Sequence, residues 1–599
     1  MGKPIGLDLP RRRKPGRGDF DIRPRRAEAW VAQLPRANLG ETARRLYTAL
    51  TETNRLDLPF QDRARFLDTL LAPAGEVAQG LRRHFVGVCS PLPEKNRKVA
   101  AVARHLHVEL ATGYGIAAED LLRRSLLLVD GRLLTQLLYR ATALWGRVLL
   151  TDYETYSPHT QGAWAAVHRL FAFAESRRLH RTVVADPLVP GRRATLADEY
   201  KRILLLALAS PYCLRHGEAG QVHRALERWA ARAVLRPVRN PAQLDSPFGV
   251  DLDSDGPPRN LALAGGDCDP SRCRLLDTRG VLELVRDEIM EADDVVATTL
   301  GGLSLEQADL PHPLLRRLMA MWSAQPRRHF SRSHRREQVE VALGLSSAHH
   351  LIAGAGRDQP GGRPRPDRYF KPARFEGGTA TSGASGVDDV WDRVYPAPES
   401  LEPSPAPEPE AAADAGTEPA VRAELWQVVD EGAGGYCLES TGAAGPVQVG
   451  ELAGIRRAHG HSWKWGVGVV RWLKFSQGGT LRMGVEMLTP DAAAAGVRVT
   501  AAPAGEAPYQ RTLMLPGIEA INRPATLVMP PVPFREGSRV TLRVLGREMQ
   551  VRLTRQLENT GLFAQFQFDL VTPQAAGNSG PPADSEPDDG SLDGVWSSI

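Results

Sequence analysis

Two short stretches carry residue types that could do chemistry. The first is Arg327-Arg328-His329-Phe330-Ser331-Arg332, continuing to Arg335 and Arg336, with Arg328 and Arg332 four residues apart. Arginine is planar, permanently charged, bidentate and able to stack on aromatic faces, so a pair at this spacing on an extended or turning segment can grip one compact ligand. The second stretch is Asp430-Glu431-Gly432-Ala433-Gly434-Gly435. Its glycines at 432, 434 and 435 allow a strand-to-strand turn to take φ > 0 and to present backbone groups to a base, while Asp430 can accept hydrogen bonds from an N–H edge. A competing reading is open at this point. An arginine-rich domain edge is usually solvated or engaged by local carboxylates, and a glycine-rich hairpin turn needs no ligand.

The elements that must hold these residues are strands. Val339–Leu343 alternates behind the arginines, and Ser346 is placed to cap a short helix through Ile352. Around the second stretch, strand signals fall at Leu425–Val429, Tyr436–Glu439, Val447–Val449, Gly466–Leu473 and Leu481–Met487, separated by glycine turns. Short strands joined this way predict an antiparallel barrel or sandwich. A further β-rich group follows at Ala525–Met529, Arg539–Val544, Met549–Leu553 and Leu562–Phe568, and is read as an additional β segment of the same domain.

The order of these parts resembles the PilZ family of cyclic di-GMP receptors. Arg328 and Arg332 match its R-x-x-x-R spacing, and Asp430 to Gly435 has the outline D-x-S-x-x-G with Gly432 where the serine would stand. By that resemblance Arg328 and Arg332, with Arg327 and Arg336 as neighbours, would hold the phosphates and guanine faces of cyclic di-GMP. Asp430, Gly432 and Gly435 would form the second binding segment. The missing serine removes one hydroxyl contact. A long interruption between the halves is tolerable because closure entropy grows only logarithmically with loop length.

Everything before the arginines reads helical. Leu133, Leu134, Leu137, Leu138, Ala141, Leu144, Trp145, Val148 and Leu149 form a broad stripe, Trp164–Ala174 and Leu196–Ala207 form others, and helical periodicity returns at Val281–Ile289 and Leu314–Met319. Residues 240–275, rich in Gly, Pro and Asp, are read as a loop between helices. The expected fold is therefore multidomain α + β, an all-α N-terminal domain followed by a C-terminal antiparallel PilZ-like β-barrel. The expected boundaries are a disordered basic tail over 1–26, the helical domain over 27–325, the arginine segment with the first barrel elements over 326–353, a Pro-rich and acidic disordered insertion over 354–420, the barrel over 421–572 and a disordered tail over 573–599.

Composition narrows the function. With 75 basic and 70 acidic residues in 599, a net charge of +5 gives no strong polyelectrolyte character, so nucleic acid is not an expected partner even though the N-terminal tail is basic. No apolar run approaches the length of a bilayer span, and no membrane insertion is expected. Five scattered cysteines make a disulfide framework improbable and fit a cytoplasmic protein with reduced thiols. Cys268 with Cys273 and the histidine pairs, His105 with His107 among them, lack the partners a zinc site needs, so no metal or other cofactor is expected. No phosphate-binding loop, nucleophile elbow or zinc-hydrolase motif occurs, so no enzyme activity is expected. The reading is a non-catalytic, bacterial-type signalling effector whose ligand is cyclic di-GMP and which also engages a protein partner. Its alternative is a degenerate PilZ-like scaffold that binds protein partners and no nucleotide.

Overall fold

A computed structural model describes residues 4–571 apart from 124–129, 187, 190, 239–246, 262–268, 299–309, 324–332, 335–336, 356–422, 443, 458–463, 477, 501–507 and 518–523. The described residues separate into two compact units, one before Arg328 and one after it.

The first unit is built on helices α1 (Pro24–Ala32), α2 (Leu39–Asn54), α3 (Phe60–Arg82), α4 (Glu94–Leu122), α5 (Gly131–Glu154), α6 (Ala163–Ser176), α7 (Leu196–Leu208), α8 (Glu218–Trp229), α9 (Arg279–Thr298) and α10 (His312–Trp322). The apolar stripe of α5 is buried on most of its circumference, with Leu137, Leu138, Ala141 and Leu149 fully inaccessible, which is why its neighbours crowd around it. Buried Arg63 donates to the Thr53 and Leu56 carbonyls at 2.8 and 2.6 Å, pinning α3 to the chain at the end of α2.

Three expectations for this unit change. A short hairpin pairs β1 (Val183–Ala185) with β2 (Arg193–Thr195), and a four-stranded sheet of β3 (Val234–Pro237), β4 (Phe248–Asp251), β5 (Arg259–Asn260) and β6 (Cys273–Asp277) stands where a loop was expected. Its strands are too short for a periodic signal, yet Phe248, Val250 and Leu276 are buried. The basic N-terminal segment is ordered from residue 4, because its arginines find carboxylates and its apolar residues find the core. Arg12 forks Asp120 at 2.5 and 2.9 Å, the Gly6 amide donates to Glu119 at 2.8 Å, Ile5 is buried, and Phe20 packs edge-on against Trp30. Finally, Cys273 is disulfide-bonded, a departure from fully reduced thiols, whereas Cys89, Cys213 and Cys437 are not in disulfides.

The second unit holds β7 (Ser333–His334), β8 (Gln338–Leu343), α11 (Leu345–Ala355), β9 (Glu424–Gly432), β10 (Gly435–Ser440), β11 (Leu452–Arg457), β12 (Gly466–Phe475) and β13 (Leu481–Thr489), then β14 (Ala493–Val499), β15 (Gln510–Leu515), β16 (Thr526–Met529), β17 (Arg539–Val544), β18 (Arg547–Asn559) and β19 (Ala564–Leu570). Strands run β10-β13-β12-β11-β8-β9, and pairing of β9 with β10 closes the ring, with β7 added along β9. The later strands are not an extra segment of this barrel. They close a second barrel of their own, in the order β14-β15-β16-β19-β18-β17.

The two barrels share a core. Ala348 and Ile352 of α11, Trp465 and Val467 beside or on β12, and Leu513, Val528 and Phe563 from the second barrel form one buried cluster. His349 Nε2 lies 3.0 Å from the Ala495 carbonyl, and Arg471 of β12 reaches Glu558 of β18 with contacts of 2.5 and 3.0 Å. On β12 and β13, Trp472 lies across Gly484, where a Cβ would stand 1.8 Å from the indole nitrogen, so only glycine fits beneath the ring.

Glu451, just before β11, gives this unit a pH dependence. Its carboxylate accepts from the Gln448 amide at 3.0 Å, but burial dominates and pushes its pKa up to about 7. A carboxyl that holds its proton more tightly when folded lowers stability as pH rises from about 4.5 to about 7, by about 2–3 kcal/mol. In Glu451→Gln, which keeps the acceptor, urea midpoints measured across that window should lose this slope. A slope equal to that of the parent would rule Glu451 out as its source.

Candidate functional site

Strands β9 and β10 form a tight hairpin around Ala433 and Gly434, with Gly432 opposite Gly435, Glu431 opposite Tyr436 and Asp430 opposite Cys437 before the register shifts between Cys437 and Leu438. Of the three glycines expected to take φ > 0, Gly435 alone does so, at 149°. Its need for glycine is also steric, since a Cβ there would meet the Val485 carbonyl oxygen at 2.0 Å. The Met487 amide donates to the Gly434 carbonyl at 3.0 Å, pinning the turn to the end of β13. The glycines therefore let the turn lie flat against the neighbouring strand, with the left-handed region used once.

The other edge of β9 pairs with β7. Ser333 pairs with Glu431 and His334 with Asp430, antiparallel, and His334 Nδ1 lies 3.4 Å from the Val429 carbonyl. The backbone is thus brought to one edge from both halves of the split signal: Ser333, covalently next to Arg332, stands across from the residue after Asp430. Arg327, Arg328, Arg332 and Arg336 lie outside the described residues. Asp430, Gly432 and Gly435 are half-buried on the hairpin.

Sequence reasoning missed a cation at this edge. Arg457, the last residue of β11, reaches across to Glu431 at 2.8 Å, and the charge of Glu431 holds its guanidinium above its ordinary pKa. Tyr436, opposite Glu431, is raised chiefly by burial and then by the same carboxylate. Next to it Arg456 pairs with Glu340 at 2.6 Å and stacks over Trp465, 4.9 Å from the ring centre. The signal was the Arg456-Arg457 pair, which a reading centred on glycine turns passed over. Chemically a guanidinium from β11 stands beside a carboxylate and the glycine turn of the hairpin, a set suited to a phosphate-bearing heterocycle.

Three adjoining family profiles match the chain: the N-terminal domain of the cyclic-di-GMP receptor FimW over residues 25–240, its middle PilZ domain over 248–494 and its C-terminal beta-barrel domain over 495–571. The cyclic-di-GMP receptor FimW of Pseudomonas aeruginosa is 30% identical over 97% of this chain and 96% of its own. The chain belongs to the FimW family. No solved structure matches it. The FimW profiles part the two barrels between residues 494 and 495, just after β14 begins, where the structure changes from one ring to the other. The FimW middle profile starts at 248, inside the small sheet of the helical unit, and so spans the division that separates the two compact units. Among the described residues no helix is long and apolar enough to cross a membrane.

Proposed function

We propose that this chain is a cyclic di-GMP receptor that binds the nucleotide where the arginine segment meets the β9–β10 hairpin. The observation that supports the reading is the pairing of Ser333 and His334 with Glu431 and Asp430, which sets the residues following Arg332 in the chain beside the glycine half of the motif. Arg328 and Arg332, with Arg327 and Arg336 beside them, supply guanidinium forks for phosphates and planar faces for guanine. Asp430 takes the amino and imino edge of a base, and Gly432 and Gly435 keep side chains out of the approach. Where the related motif has serine, Gly432 offers no hydroxyl, so affinity rests more heavily on the arginines.

The protein acts without catalysis, as a cytoplasmic effector. Nucleotide binding at this edge changes what the second unit presents to a protein partner. Support for an interaction role comes from the second barrel, which shares the first barrel's core and so moves with it.

Calorimetric titration of the full chain with cyclic di-GMP, with GTP as the comparison, tests the reading. Saturable binding at micromolar or lower concentration, not reproduced by GTP, is the expected result. Absence of heat together with an unchanged melting temperature at high excess of cyclic di-GMP would leave a scaffold without a nucleotide site, the reading that Gly432 favours.

A further inference from the structure

The helical unit contains a cavity that the nucleotide reading leaves unused. It has a volume of about 420 Å³ and lies between α3, α4 and α5, with Leu71, Phe85, Leu150 and Leu188 as apolar walls. That is within the usual range for small-molecule sites, which are mostly apolar with a few converging polar groups. Arg82, His107, Arg147 and Glu154 supply those groups here.

Arg147 is the anomaly. It interrupts the apolar stripe of α5 between Leu144 and Val148, yet its guanidinium has no hydrogen-bond or ion-pair partner among the described residues. The carboxylates nearby are committed elsewhere. Glu154 is forked by Arg82, at 3.0 and 2.9 Å from Nε, and Glu76 faces Arg36 at 3.6 Å. Deeper in the bundle Asp186 pairs with Arg192 at 2.8 Å, Glu199 with Arg192 and Arg202 at 3.2 and 3.3 Å, and Glu227 with Arg202 at 2.6 Å. A second unmet polar atom, His107 Nδ1, is buried without a partner. Burial, reinforced by the charge of Arg147, holds that imidazole down to about 3, so it is neutral at physiological pH.

A guanidinium among apolar walls is costly unless something accepts its hydrogen bonds. We propose that the cavity binds a small organic anion, its carboxylate or phosphate head forked by Arg147 and its apolar body against Leu71, Phe85 and Leu150. Neutral His107 then serves a ligand hydroxyl or ether oxygen rather than the charge. Every residue of this site precedes Arg328, so it is separate from the hairpin edge.

Titration of the full chain with benzoate, phenyl phosphate and inorganic phosphate, at matched ionic strength, tests this without cyclic di-GMP. The expected result is saturable one-to-one binding of benzoate or phenyl phosphate with a raised melting temperature, and weaker binding of inorganic phosphate, which has no apolar body. Whichever of the first two binds more tightly identifies the head group. Arg147→Gln should weaken that binding at least about tenfold with an unchanged far-ultraviolet circular dichroism spectrum. If that variant does not fold, Leu150→Phe, which fills the cavity, decides instead and should lose the binding. No saturable binding by any of the three probes, or equal binding after Arg147→Gln or Leu150→Phe, overturns the proposal and leaves a hydrated cavity.

Discussion

Arg332→Ala should reduce cyclic di-GMP affinity by a factor of about 10² to 10³, and Arg328→Ala should cost nearly as much. Each arginine is proposed to make hydrogen bonds to charged oxygens, worth about 1.5–3 kcal/mol apiece, and a bidentate pair reaches about 3–4 kcal/mol. Arg332 carries the larger expectation because the residue after it is fixed in register with Glu431, whereas Arg328 lies four residues further from that anchor. Lysine should rescue little, since it keeps the charge but loses the planar fork. Calorimetry at constant ionic strength, with the exposed Arg535→Ala as a control for net charge, separates site loss from general electrostatics. Parent-like affinity in both Arg328→Ala and Arg332→Ala would remove the arginine segment from the site.

Gly435→Ala is the second large effect, and it acts on the fold first. The added methyl would stand 2.0 Å from the Val485 carbonyl oxygen, 3.0 Å from its carbon and 3.1 Å from the Glu486 Cα, all backbone atoms of a paired strand with nowhere to go. Relief requires opening the β10–β13 ladder or shifting the turn away from Met487. Overpacking with a left-handed backbone is expected to cost about 2–4 kcal/mol of stability. Chemical denaturation should show it as a lowered midpoint, and surviving folded protein should bind cyclic di-GMP more weakly because the hairpin edge has moved. Gly434→Ala, at a glycine outside the left-handed region, is the matched comparison and should cost much less. Equal midpoints for the two variants would contradict the close packing of Gly435.

Much of this arrangement was legible in the residues, for reasons that can be named. The α5 stripe was visible because its helix is buried on most sides, and β9, β12, β13 and β17 were visible because bulky residues alternate or run along them. Strand β14, Ala493–Val499, was missed because its first four residues, Ala-Ala-Ala-Gly, carry no β-branched or aromatic signal and Val497 and Val499 alone are too short an alternation, so its place is set by pairing with β15 and β17. Without β14 and β15 the later strands could not be counted into a ring of their own, so a second barrel read as an appendage. The stretch Val447–Val449, expected as a strand, forms none, while β11 begins just after it at Leu452. The order of the basic N-terminal segment was invisible because its carboxylate partner Asp120 lies far along the chain. At the site, the turn and its aspartate were readable, and the Glu431–Arg457 contact was not, because it reaches from β11 across β8 to β9, strands far apart in the chain that the ring order alone brings within reach.

The position of β8 has a consequence for how the barrel can be cut. That strand lies between β11 and β9 in the ring, yet it comes from the stretch before residues 356–422, and every other strand of the ring comes after them. Held by register on both sides, from Val339–Leu343 against β11 and Gln338–Val341 against β9, and by α11 in the core shared with the second barrel, it does not depend on that long connection to keep its place. In chain terms the barrel is a complementation of two fragments that happen to be covalently joined. A single break within 356–422 would yield two polypeptides whose natural interface is a completed β-sheet, one carrying the arginine half of the motif and the other the glycine half.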